Sequence, residues 1–157
     1  MGEKSLLAGK RILIVDDETD ILETLEDSLP TCDVVKASTF GEAEMLLQTQ
    51  HFDMAILDIM GVAGFKLLEI ANSKKIMAVM LTAHALNPKT LVQSYREGAA
   101  SYIPKERMND IEIFLNDILE AKQKGRSTWS RWFERFGSFF EKRFGSRWPG
   151  KDKPFPN

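Results

Sequence analysis

Arg11-Ile12-Leu13-Ile14-Val15-Asp16-Asp17-Glu18 is the stretch whose reading decides the fold. Four consecutive aliphatic residues stop abruptly at three acids. A run that is apolar at every position predicts a strand buried on both faces, as in a parallel sheet covered by helices. Working outward, the same signal recurs. Phe52-Asp53-Met54-Ala55-Ile56-Leu57 also ends in a carboxylate, Asp58. Ile76 to Leu81 ends at Thr82, and Ser101-Tyr102-Ile103 is a short strand with Lys105 just past its end. Val34-Val35 marks a weaker strand. Between these lie helical patterns. Thr19 or Asp20 is placed to cap a helix with apolar positions Ile21, Leu22, Leu25 and Leu29, stopped by Pro30. Further helices are expected over Phe40–Gln50, around Phe65–Ala71, over Pro88–Glu97 with Gly98 as stop signal, and from Ile111 to about Lys122. Five strands alternating with five helices predict an α/β chain, a five-stranded parallel sheet with helices wound on both faces.

Length and composition agree. The chain has 157 residues, 43% hydrophobic and 28% charged, which fits one globular domain with a short surplus. Cys32 is the lone cysteine, so an internal disulfide and a cysteine-based zinc site are excluded. No apolar run reaches the roughly 18 residues of a membrane span, and the first residues carry neither a signal-peptide nor a myristoylation pattern. A cytoplasmic location is expected. The net charge of −2 hides a division: residues 1–121 carry −9 and residues 122–157 carry +7. All three Trp and six of the ten Phe follow residue 128.

In an open parallel sheet, ligands bind beyond the carboxyl ends of the strands. Asp16, Asp17, Asp58, Thr82 and Lys105 all fall there. Carboxylates gathered at one edge repel each other, and Mg2+, which prefers oxygen ligands, is the usual remedy. A lysine and a hydroxyl beside them complete a site for a phosphoryl group, and an aspartate there can itself be the nucleophile. Taken singly these residues have plainer readings. Asp16-Asp17-Glu18 suits a helix N-terminus, and Asp58 suits a solvated strand end; five such residues at five strand ends favour the phosphoryl site.

Four segments resemble the receiver domain of two-component response regulators: Ile12-Leu13-Ile14-Val15-Asp16-Asp17-Glu18, Ala55-Ile56-Leu57-Asp58-Ile59-Met60, Met80-Leu81-Thr82-Ala83, and Gly98-Ala99-Ala100-Ser101-Tyr102-Ile103-Pro104-Lys105. The resemblance covers about residues 9–121 and implies a flavodoxin-like doubly wound fold. It implies that Asp58 is the phosphoacceptor and that Mg2+ is held by Asp16, Asp17, Asp58 and the backbone carbonyl of Met60. Thr82 would bond a phosphoryl oxygen, Lys105 would pair with the phosphoryl group, and Tyr102 would reorient with Thr82 on activation. The plainer reading of Tyr102 is a half-buried strand residue. The implied partner is a sensor histidine kinase or a phosphotransfer protein. The implied role is that of a single-domain regulator that accepts a phosphoryl group, not an enzyme in the ordinary sense.

The sequence departs from the family pattern in two places. The family usually has Pro four residues and Gly eight residues after its phosphoacceptor; here Val62 and Lys66 stand there, and the nearest glycine is Gly64. The loop is therefore about two residues short, and a short following helix is expected. The family also has Pro after its Lys, where Glu106 stands here. A cis bond to a non-Pro residue costs about 2.5–4 kcal/mol, so a trans bond is expected. His84, two residues past Thr82, is either a tuner of water attack on the phosphoaspartate or a loop residue without a role. His51 reads as a surface residue and Cys32 as a packing residue.

Residues 122–128 read as a linker, 129–148 as an amphipathic helix and 149–157 as a disordered end. Trp129, Trp132, Phe133, Phe136, Phe140 and Phe144 recur at mostly three- or four-residue spacing, on one helical face, with Arg131 and Arg135 opposite. Three readings are open: an anionic membrane surface, a groove in a partner protein, or packing on the chain's own body or on a second copy. No DNA-reading element is recognisable, so DNA is not an expected partner. The alternative to a phosphorelay role is a non-phosphorylated receiver-like scaffold, with the tail as an adaptor to a membrane or partner.

Overall fold

The computed structural model describes residues 5–83 and 87–144, with side chains through residue 137. Five strands form one parallel sheet: β1 (Arg11–Val15), β2 (Asp33–Ala37), β3 (Met54–Asp58), β4 (Met77–Thr82) and β5 (Ser101–Pro104). Their order is β2-β1-β3-β4-β5, the doubly wound order in which the chain reverses direction between β1 and β3. The central strands β1, β3 and β4 are buried almost throughout. The weaker second strand is the half-exposed edge β2.

The helices are α1 (Thr19–Asp27), α2 (Phe40–Thr49), α3 (Gly64–Ser73), α4 (Pro88–Arg96), α5 (Ile111–Gln123) and α6 (Ser130–Phe144), with a 3-10 turn over Lys105–Asp110. Three local details differ from expectation. The N-cap of α1 is Glu18, in extended backbone, while Thr19 and Asp20 already lie in the first turn. The shortened loop after β3 does not shorten α3, whose ten residues equal those of α2. Instead the turn is tight: Ala63 takes a left-handed conformation at φ 55°, and Gly64 amide bonds the carbonyl of Ile59 at 3.1 Å. The core also begins before residue 9, since Leu7 is fully buried.

The aromatic tail is not separate from the body. Trp129, Trp132 and Phe136 join the same buried cluster as the sheet and α5. Phe136 packs on Phe114 with ring centres 5.0 Å apart, and Trp129 meets Tyr95 of α4 edge-on at 5.6 Å. Burial of each such ring is worth about 1.5–3 kcal/mol. The basic face matches the acidic body: Arg135 forks onto Asp117 of α5, and Arg131 reaches Glu120 at 3.1 Å. Phe133 is half-buried. The side chains of Phe140 and Phe144, His84, and the expected tail beyond residue 144 lie outside the described residues.

Gly64 tests the tight turn. A Cβ added there would stand 2.4 Å from the backbone carbonyl oxygen of Asp58. Backbone cannot swing aside, so Gly64→Ala is expected to lower stability by about 1–3 kcal/mol, measured by urea unfolding against the parent.

Candidate functional site

The parallel sheet places every strand's carboxyl end on one edge. Asp16 follows β1, Asp58 closes β3, Thr82 closes β4, and Lys105 follows β5. The register sets Val15 beside Leu57, Asp58 beside Leu81, and Thr82 beside Pro104, the neighbour of Lys105. Asp16, Asp58 and Thr82 are buried, whereas Asp17 and Glu18 are exposed.

Lys105 ties these residues together. Its ammonium lies 2.9 Å from Asp16 Oδ2, 3.2 Å from Asp58 Oδ1 and 3.3 Å from Glu18 Oε2. Burial opposes its charge, but the hydrogen bond and charge of Asp16, then those of Asp58, outweigh burial and push its pKa above the usual lysine range. The peptide bonds around Lys105 are trans. Asp16 is displaced the other way from an ordinary ion-paired carboxylate. Burial raises its pKa; Lys105 and the Glu18 amide, at 2.9 Å from Oδ1, pull back, while the charge of Asp58 adds to the rise. Asp16 therefore serves the start of α1 with one oxygen. The other, Oδ2, is buried and ion-paired with Lys105.

These donors fit a hard divalent cation. Carboxylate oxygens of Asp16, Asp17 and Glu18 lie within 4.8 Å of one another. Asp17 Oδ1 and Asp58 Oδ2 both lie against Gly61: a Cβ built there would stand 2.5 Å from the first and 2.6 Å from the second. Met60, the residue before it, has its side chain in solvent.

Tyr102 is fully buried, not half-buried. Its hydroxyl lies 2.7 Å from Thr90 Oγ1 and donates to the carbonyl of Asn87 at 3.4 Å, both at the start of α4. Burial raises its pKa, and hydrogen bonding to Thr90, Thr82 and Asn87 only partly offsets that. Its backbone carbonyl accepts the indole N–H of Trp132 at 2.7 Å, and Trp129 donates likewise to Ala99 at 2.9 Å. One residue thus touches β4, α4 and α6. The predicted aromatic residues divide accordingly: Trp129, Trp132 and Phe136 sit on the body, remote from the carboxylates in sequence but joined to their edge through Tyr102.

Some participants escaped the sequence reading. Gly61 donates its amide to Asp58 Oδ2 at 2.9 Å, and a backbone group leaves no side-chain signal. Glu18 reaches Lys105 across 87 positions. Thr90 and Asn87 meet Tyr102 only because α4 lies over β5. His51 is exposed, and Cys32 is half-buried with Sγ 3.5 Å from the carbonyl of Leu7.

Comparison with known proteins fits this arrangement. A family model described as the response regulator receiver domain matches residues 12–115, and the chain belongs to that family. Among curated relatives, the two-component response regulator ARR12 of Arabidopsis thaliana is 29% identical over 123 residues, covering 73% of this chain and 20% of that protein. The alginate biosynthesis transcriptional regulatory protein AlgB of Pseudomonas putida is 36% identical over 121 residues, covering 72% of this chain and 27% of that protein. The match thus spans about a fifth to a quarter of these relatives. A CheY-like receiver domain protein from Methanospirillum hungatei has a solved structure with 30% identity and a TM-score of 0.65, covering 74% of this chain and 99% of that one. Receiver domains are phosphoryl acceptors that bind Mg2+ at an acidic site, and they work with histidine kinases or phosphotransfer proteins. No helix among the described residues is long and apolar enough to cross a membrane.

Tyr102 carries a pH signature. An acid whose folded pKa is raised favours the fold below its unfolded pKa, 10.0 for a tyrosine, and that stability is lost as pH rises above it. Tyr102→Phe is expected to cost about 1 kcal/mol at pH 7 through the lost hydrogen bond. It should also flatten the fall of stability above pH 10, measured by denaturant unfolding across pH. The share of the alkaline loss due to Lys105 should persist.

Proposed function

We propose that the protein accepts a phosphoryl group on Asp58 from a sensor histidine kinase or phosphotransfer protein and passes the change to protein contacts through Tyr102 and α6. The observation that carries this reading is the ammonium of Lys105 held between Asp58 Oδ1 and Asp16 Oδ2, beside the exposed Asp17, at the carboxyl edge of the sheet. A carboxylate oxygen of Asp58 attacks the phosphorus of a phosphohistidine. The O–P bond forms as the N–P bond breaks, and the electron pair leaves on the imidazole, which takes a proton from solvent.

The surrounding side chains have separate tasks. Lys105, kept protonated by its acidic neighbours, offers its charge to the phosphoryl oxygens once Asp58 shares it. The Gly61 amide orients the Asp58 carboxylate. Thr82, buried at the end of β4, supplies a hydroxyl for a phosphoryl oxygen, and its bond to Tyr102 couples that hydroxyl to α4 and β5. Asp16, Asp17, Asp58 and the Met60 carbonyl would hold Mg2+, which supplies positive charge against the transferring phosphoryl group.

Acetyl phosphate with Mg2+ is expected to add one phosphoryl group to the parent and none to Asp58→Asn, read by intact mass spectrometry. A phosphorylated Asp58→Asn protein overturns the assignment.

For α6 the reading is that of a contact element held on the body by Trp129, Trp132 and Phe136 in one state and freer in another. Removal of residues 126–157 is expected to leave labelling of Asp58 intact while changing association with partner, vesicles or a second copy. Pull-down, liposome flotation and light scattering compare the two chains, and identical behaviour in all three removes α6 from the output.

A further inference from the structure

We infer that Gly61 is a positioning residue for the acidic site, because a side chain there would displace the Asp17 and Asp58 carboxylates from the places in which they can share a divalent cation. The inference rests on the Asp58 reading above and names a residue that no side-chain pattern points to.

Three observations converge on this glycine. A Cβ at position 61 would stand 2.5 Å from Asp17 Oδ1, 2.6 Å from Asp58 Oδ2 and 2.7 Å from Asp17 Cγ. Carbon cannot approach carboxylate oxygens so closely, so these oxygens would have to move, and Mg2+ tolerates little departure from ligand distances of about 2.0–2.1 Å. Next, the positive-φ glycines among the described residues are Gly9, Gly98 and Gly125, and Gly61 is not one of them. A left-handed backbone therefore does not explain a glycine here. Last, its amide bonds Asp58 Oδ2 at 2.9 Å, which holds the α-carbon against the carboxylates.

The short loop accounts for the arrangement. Only Ile59 to Ala63 separate Asp58 from α3, and the turn is pinned at both ends. The Ile59 amide bonds the carbonyl of Leu81 at 3.0 Å, and the Gly64 amide bonds that of Ile59 at 3.1 Å. A chain so tightly tethered passes directly over the carboxylates, so residue 61 must lack a side chain for Asp17 and Asp58 to lie where they do.

The neighbours also predict how an added methyl would be absorbed. Asp58 is buried and held by Lys105 and by the Gly61 amide. Asp17 is exposed and able to rotate into water. A methyl at position 61 would therefore turn the Asp17 carboxylate into water and crowd Asp58 Oδ2, so the clash falls on side-chain oxygens and takes the cation's ligands out of place. Gly64 is the counter-example, since its added Cβ would strike backbone.

The test titrates Mg2+ into parent and Gly61→Ala protein, followed by amide NMR shifts and by the rise of Tm with Mg2+. The parent should respond in the millimolar range. Gly61→Ala should keep the parent's dispersed spectrum without Mg2+, with Mg2+ affinity reduced at least tenfold. Equal affinity in the two proteins overturns the role of Gly61 and leaves the Asp58 reading standing. A parent that ignores Mg2+ overturns both. A second measurement needs no variant: Mn2+ at low ratio to the parent should broaden the Gly61 amide among the first signals, and a sharp Gly61 amide beside broadened neighbours overturns the inference even where Gly61→Ala does not fold.

Discussion

Two buried carboxylates meet one ammonium at the carboxyl edge of the sheet, and much of the structure serves that meeting. Asp16 and Asp58 end up side by side because β1 and β3 are neighbours in a parallel sheet. Left alone, each would carry the desolvation cost of a buried charge and the repulsion of the other. Lys105 answers both through distances of 2.9 and 3.2 Å. It does so from beyond β5, on the far side of β4, which requires the strand order β2-β1-β3-β4-β5. The charge balance is local and incomplete: Asp17 and Glu18 add two exposed carboxylates to the same edge, and such a surplus attracts cations.

The same edge is connected to the rest of the molecule by hydrogen bonds as well as by charge. Tyr102 lies on β5 between the hydroxyl of Thr90 and the indole of Trp132. Its ring is buried, so a movement of its hydroxyl requires adjustment of α4, and a movement of its backbone requires adjustment of α6. Close-packed interiors respond to such demands by switching between discrete arrangements. Arg107 adds a further tie from the turn that begins at Lys105, lying 5.6 Å above Phe114 and 5.5 Å above Phe136. The tail is therefore attached where the site's influence would be felt, at the β5 side of the sheet and not at the distant β2 edge.

Much of this was legible in the chain itself. Fully apolar runs ending in polar residues marked the strands, because strands buried on both faces tolerate no alternation. The order of strand and helix signals dictated a parallel sheet, and that geometry alone assigned Asp16, Asp58, Thr82 and Lys105 to one edge. The opposite charges of body and tail also anticipated a contact that Arg131, Arg135, Asp117 and Glu120 provide. The tail's destination was less legible. Three- and four-residue spacing of aromatics shows that a helix has an apolar face, not what covers it, and lipid, partner and own body were equally compatible with Trp129, Trp132 and Phe136.

The sequence by itself determined the elements, their parallel arrangement and the kind of chemistry gathered at the strand ends, since these follow from local periodicity and from the direction of the strands. Only the tertiary structure decided which atoms meet. The Gly61 amide on Asp58, the Glu18 carboxylate on Lys105 and the indoles of Trp129 and Trp132 on the carbonyls of Ala99 and Tyr102 are contacts set by three-dimensional paths. Residue type constrains them weakly: one is a backbone group without a signature, another spans 87 positions, and the last depends on where a short linker lets a helix come to rest.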